Sequence, residues 1–123
     1  MKALSQPPGA TLIDATAAHG AVIAQLHKAC FDEAWSVFTV RQVLAMPGAF
    51  GLLAMAQDAP DGAGLLGFAL GRSAAGECEL LSLAVVDSAR GQGIGAALLA
   101  AALERAGKDG VTRMFLEVAE DNV

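Results

Sequence analysis

Arg90-Gly91-Gln92-Gly93-Ile94-Gly95 is where the main chain of this protein is set up to do chemistry. Glycines let a backbone come close to a ligand, and these run straight into an apolar segment of helical period. The first N–H groups of a helix have no internal acceptor, and the helix dipole favours negative charge beside them. The expected guest is a phosphate or pyrophosphate. Two carboxylates compete for proton transfer. Glu117 stands in an otherwise apolar run, where desolvation raises a carboxyl pKa toward the useful range, unless it is merely solvated at a strand end. Glu79 opens the preceding apolar run in a more polar setting beside Glu77.

Other reactive side chains carry less. Cys30 and Cys78 are too few and too far apart for a metal quartet or a redox pair, and they read as small buried apolar groups. His19 and His27, eight residues apart on an expected helix, lack zinc-protease spacing and read as surface or capping residues. No metal is implied. Trp35, near Phe31 and Phe38, reads as a core aromatic.

The elements that must position these residues follow from periodicity. Leu12 and Ile13 begin a strand, Ala15 to Phe31 reads as helix, and Asp32 to Trp35 break it. Thr39 to Met46 is a second helix, stopped by Pro47-Gly48. Phe50 to Gln57 and Leu65 to Arg72 are strands of a hairpin joined by the turn-rich segment Asp58 to Gly62. Glu77 to Val86 is a third apolar run, followed by turn chemistry at Asp87 and Ser88. Ile94, Leu98, Leu99, Leu103 and Ala106 then form one helical stripe, with Gly107 placed as its C-terminal cap. Val111 to Val118 completes a strand-helix-strand unit with an expected right-handed crossover. The phosphate site thus lies beyond the C-terminal end of a sheet strand. There are no repeats and no linker, so residues 1–123 read as one domain.

Spacing separates the ways a glycine turn can hold phosphate. A P-loop needs Lys followed by Ser or Thr after its last glycine, and this chain has Ala96 and Ala97. Gly91, Gly93 and Ala96 formally match a dinucleotide fingerprint, with Glu117 near the place of its ribose-binding acid. That fingerprint puts its glycines directly off the strand at the start of a larger domain; here Asp87 to Arg90 intervene and little chain follows.

The pattern Arg/Gln-x-x-Gly-x-Gly/Ala after an apolar strand, met by Arg90, Gly93 and Gly95, resembles the acetyl-CoA motif of GNAT N-acetyltransferases. Leu83-Ala84-Val85 resembles the strand segment before that loop. Leu116-Glu117-Val118 with Asn122 is similar to a segment of the RimI-like branch, the ribosomal-protein alanine N-acetyltransferases. Cys30-Phe31, Trp35-Ser36 and Pro47 to Phe50 look like that branch's N-terminal pattern, and the match implies a substrate mouth at Trp35 as the alternative to a core place. The resemblance implies an α/β (α+β) GNAT fold, a mixed central sheet with flanking helices, of which the order above reaches the fifth strand. It also implies a continuation past Asn122 with a helix and a final pair of strands. The domain is therefore expected to be C-terminally incomplete and the natural protein longer.

What the resemblance implies for the site is specific. Arg90, Gly91, Gln92, Gly93, Ile94, Gly95 and Ala96 hold the pyrophosphate of acetyl-CoA. Leu83, Ala84 and Val85 pair with the pantetheine arm through their backbone, with an N–H near Val85 polarising the thioester carbonyl, although ordinary sheet pairing fits them equally well. Asn122 orients the arm or the following helix, or caps that helix. In the reaction an amine attacks the thioester carbonyl through an oxyanion and a thiolate leaves, so a base, an oxyanion donor and a proton for sulfur are required. Glu117 matches the RimI-like base, acting through water, and Glu79 the base of histone-type enzymes. The general acid of the RimI-like branch is a tyrosine after Asn122, and this sequence has none. The implied acceptor is the N-terminal alanine of a small-subunit ribosomal protein; a small-molecule amine, a lysine side chain, or non-catalytic acyl-CoA binding stay open.

Composition narrows the class further. With 123 residues, 54% hydrophobic and 17% charged, the chain can bury a real core. Its longest uncharged apolar stretch, Gly91 to Leu103, falls short of the roughly 20 residues a bilayer needs, and Met1 to Thr16 lacks a signal peptide's apolar core. No membrane role is implied, and a cytoplasmic protein is expected. A net charge of −5 gives no basic surface for nucleic acid and suits a cationic amine substrate.

Overall fold

The computed structural model describes residues 9–57, 64–108 and 110–116. Five strands form one sheet in chain order: β1 (Ala10–Asp14), β2 (Ala49–Ala56), β3 (Leu65–Ala74), β4 (Glu77–Val85) and β5 (Arg113–Leu116). The first four are antiparallel to their neighbours and β5 runs parallel to β4, as a strand-helix-strand crossover requires. Helices α1 (Gly20–Cys30) and α2 (Val37–Ala45) precede β2, and α3 (Ile94–Lys108) connects β4 to β5.

The strands are apolar on both faces because both faces are covered. Along β2, Phe50, Leu52 and Ala54 belong to a core shared with Ile94, Leu98, Ala102 and Ala106 of α3. Leu53 turns the other way, into a second core with Ile23 and Leu26 of α1, Val40 of α2, and Phe68 and Leu70 of β3. Among the described residues no helix is long and apolar enough to cross a membrane.

Three expectations are corrected. The first helix does not begin at Ala15, because the Ala15 N–H donates to the Gly51 carbonyl at 2.8 Å and keeps that residue with the sheet. A single 3₁₀ turn, Ala17–His19, follows, and His19 caps it by accepting the Thr16 N–H at 2.9 Å on Nδ1. Gly107 does not stop α3, which runs on to Lys108. Its terminator is Gly110, at a φ of 78°, with the Gly110 N–H donating to the Gly107 carbonyl (3.1 Å) and the Val111 N–H to the Ala106 carbonyl (3.0 Å). That is the double bond pattern of a left-handed helix cap, and glycine takes this φ without strain. Finally, Leu103 is not in the buried stripe. It is 51% exposed, and Ala102 takes the core position between Leu98 and Ala106.

A candidate acetyl-CoA cleft at the end of β4

Leaving β4, the chain makes one 3₁₀ turn, Asp87–Ala89, and then the glycine bend that opens α3. Gly91 and Gly93 take φ values of 80° and 82°, accessible to glycine and strained for any residue with a Cβ. The Ala97 N–H donates to the Gly93 carbonyl at 3.0 Å, the first bond of the helix. Among the described residues the amides from Gly91 to Ala96 have no acceptor. The bend is therefore a row of unpaired donors at the positive end of a helix.

These donors open into a cleft of about 1490 Å³. Of the residues expected to hold the cofactor, Leu83, Ala84, Val85, Arg90, Gly91, Gly93, Ile94, Gly95 and Ala96 all line it. Gln92 does not; its side-chain amide turns back to the Ser88 carbonyl at 3.4 Å. The Arg90 guanidinium is also engaged by protein. It meets Asp87 at 2.8 Å, the Val85 carbonyl at 3.2 Å and the Cys30 sulfur at 3.8 Å, so it ties the end of β4 to α1 while the backbone of the bend faces the cleft. Glu117 and Asn122 lie outside the described residues. Glu79 is exposed and lines the cleft, opposite Phe115 in the β4–β5 register.

The register of β4 decides which of its amides face this space. The Val86 N–H donates to the Leu66 carbonyl at 2.8 Å, so by alternation Ala84 also turns its backbone groups toward β3. Leu83 and Val85 turn theirs the other way. The described β4–β5 pairing ends at Leu80 with Leu116, and on that side no strand among the described residues pairs with the half of β4 that follows. A bulge accompanies the change: Leu70 pairs with Ser82 and Gly71 with Leu80, so Leu81 is the extra residue. Of the expected backbone trio, Leu83 and Val85 have the right direction, while Ala84 serves the sheet.

Another part of the lining comes from the turn between α1 and α2, through Phe31, Asp32, Glu33 and Trp35. His27, expected at the surface, is buried behind it at 3% exposure. Its ring stacks on Trp35 with centroids 4.7 Å apart and lies 4.4 Å from Phe31, and its Nδ1 accepts the Trp35 N–H at 3.1 Å. Burial lowers its pKa from the usual 6.5, because a low-dielectric setting disfavours the cation. The signal was in the sequence: Ile23, Leu26, His27 and Cys30 share one helical stripe, which makes His27 a core position. Ser82, a lone hydroxyl in an apolar strand, also lines the cleft; its buried Oγ has no partner among the described residues.

Residues 21–123 match the acetyltransferase (GNAT) family. The chain belongs to that family. The GNAT chain is an acetyl-CoA-dependent N-acetyltransferase in class, and its five-stranded mixed sheet with three helices is the GNAT fold. Similar solved structures include the ribosomal-protein-S18-alanine N-acetyltransferase of Escherichia coli, at 20% identity over 93% of this chain and 70% of that one, with a TM-score of 0.77. Ard1 from Thermoplasma volcanium is 18% identical over 93% and 74% of the two chains, with a TM-score of 0.79. AAC(6')-Iy in complex with the bisubstrate analogue CoA-S-monomethyl-acetylneamine is 19% identical over 92% and 82%, with a TM-score of 0.72. At these identities the likenesses establish the fold. No curated protein matches the sequence at a significant level. Among the described residues no group of His, Cys, Asp or Glu could hold a metal ion.

Proposed function

We propose that this single GNAT domain moves acetyl from acetyl-CoA to a protein N-terminal α-amine, with an N-terminal alanine of a ribosomal protein as acceptor. The observation that carries this reading is the row of unpaired amides from Gly91 to Ala96, opening into one cleft with the outward backbone of Leu83 and Val85. The amides and the helix dipole fit the pyrophosphate, and the outward N–H groups of Leu83 and Val85 fit an extended amide-bearing arm. Bound acetyl-CoA supplies an acetyl thioester. The chain's own work is to hold that arm, to keep the acceptor amine neutral and to take its proton.

The cleft lining carries exposed carboxylates at Asp32, Glu33 and Glu79. An incoming ammonium is drawn toward these carboxylates. A peptide α-amine has a pKa near 8, so about a tenth is already neutral at pH 7, against far less for a lysine near 10.4. A modest carboxylate base therefore suffices. Glu117, which directly follows β5, is the proposed base, by its match to the RimI-like segment. Glu79 is the second reading, favoured by its place on the cleft lining. The alanine acceptor is supported by the similarity to the Escherichia coli fold relative, and a small-molecule amine by the similarity to AAC(6')-Iy.

Steady-state kinetics test both assignments. An Ala-starting peptide is expected to be acetylated with a higher kcat/KM than spermidine or an aminoglycoside. Glu117→Gln is expected to lower kcat about a hundredfold or more, the scale of a lost general base, with acetyl-CoA still bound. Unchanged turnover in Glu117→Gln together with a collapse in Glu79→Gln would transfer the role to Glu79.

A further inference from the structure

We propose that His27 is a positioning residue: its neutral imidazole holds Trp35 as the acceptor-side wall of the cleft, so that acceptor binding fails when His27 takes a proton. This rests on the reading of the cleft given above. Trp35 is part of the cleft lining and packs against the apolar core of α1, α2 and β3. Two of its contacts go to one ring. The Trp35 N–H donates to His27 Nδ1 at 3.1 Å, and the indole stacks on the imidazole with the planes 16° apart. Phe31 and Phe68 bracket the same ring, at 4.4 and 6.3 Å between centroids.

The hydrogen bond settles the protonation state. Because Nδ1 accepts, it carries no proton, and the neutral ring bears its hydrogen on Nε2. Imidazolium has no acceptor at all. Protonation therefore replaces an N–H···N bond with two facing donors and puts a charge into an aromatic box, where burial opposes it. The other charged or titratable side chains on the cleft lining are Cys30, Asp32 and Glu33 on α1 and its turn, Glu79 on β4 and Arg90 beyond it. Lys28 neighbours His27 on α1; on α2, Arg41 turns away to the Ala17 carbonyl, and β3 contributes Phe68. Among the described residues none of these forms an ion pair with His27, so no carboxylate rescues the cation.

The sign follows from the lowered pKa. The ordered turn is fully favoured above about pH 6.5, the ordinary histidine value, and is lost as pH falls below it, because the released turn takes up the proton more readily. Cofactor binding at the glycine bend uses backbone amides and does not share this dependence.

Trp35 is the chain's single tryptophan, so intrinsic fluorescence reports this contact without any ligand. Three proteins are compared between about pH 5 and pH 8: wild type, His27→Asn, whose side-chain oxygen replaces the Nδ1 acceptor and does not titrate, and His27→Phe, which keeps the ring and removes the acceptor. The wild-type emission is expected to shift in the acid limb below about pH 6.5, and that transition is expected to be absent in His27→Asn. At about pH 8, His27→Phe is expected to raise the acceptor KM about tenfold, the cost of leaving the part-buried Trp35 backbone N–H without its acceptor. Its acetyl-CoA Kd stays at the wild-type value, and His27→Asn, which keeps the acceptor but loses the stack, is expected to raise KM less than His27→Phe does. A wild-type fluorescence titration identical to that of His27→Asn overturns the proposal. So does an acceptor KM in His27→Asn as poor as in His27→Phe, or an acetyl-CoA Kd that rises alongside KM. If wild type binds no acetyl-CoA, the reading of the cleft fails, while the ligand-free fluorescence still decides the role of His27.

Discussion

Substituting Gly93 by alanine separates two things a glycine does in this bend. Its φ of 82° costs a residue with a Cβ about 1–2 kcal/mol, yet an added Cβ meets no protein atom within 4 Å. The fold should survive with a melting temperature lowered by roughly 5 °C, taking the usual scaling for a chain of this size. The ligand is a different matter. Gly93 lines the cleft beside the unpaired amides, so the new methyl occupies the space through which they reach an anion. Losing or lengthening one charge-assisted bond there removes about 1.5–3 kcal/mol, or roughly 10- to 100-fold in acetyl-CoA affinity. Gly76→Ala is the matched control. It has nearly the same φ, 79°, and the same open surroundings, but it sits on the β3–β4 turn and is not part of the cleft lining. Calorimetric titration with acetyl-CoA and thermal melts of both variants decide the matter. Equal losses in melting temperature with affinity lost only in Gly93→Ala are expected; equal and unchanged affinities in the two would refute the assignment of the bend as the phosphate site.

Two further substitutions test the packing around the cleft. Leu98→Ala removes a side chain with 0% exposure from the centre of the α3 core and is expected to cost about 2–5 kcal/mol in urea unfolding, a loss below about 1 kcal/mol arguing against this packing. Ser82→Ala deletes a buried hydroxyl with no partner among the described residues, so stability should equal or exceed wild type by up to about 1–3 kcal/mol, whereas a clear loss would reveal a hydrogen bond at Oγ.

Much of this protein is local, and locality makes it legible. The glycines, the apolar strand before them and the helical period after them are contiguous, so a glycine bend between a strand and a helix follows from residues close together in the chain. Long-range facts were not available that way. Gly107 looked like a helix cap because a glycine there is compatible with one, but the left-handed turn fell at Gly110, where two carbonyls of α3 are satisfied at once. Ala84 looked equivalent to Leu83 and Val85 until the pairing of Val86 with Leu66 fixed which amides serve β3 and which face the cleft. His27 had no visible partner because Trp35, eight residues on, reaches it only when the chain reverses between α1 and α2. The sequence by itself determined the family, the bend and the order of the elements, since each depends on residues within a few positions of one another. Tertiary structure alone decided which amides of β4 face the cleft and that His27 meets Trp35, because the first depends on pairing with β3 and the second on the path of the turn between α1 and α2.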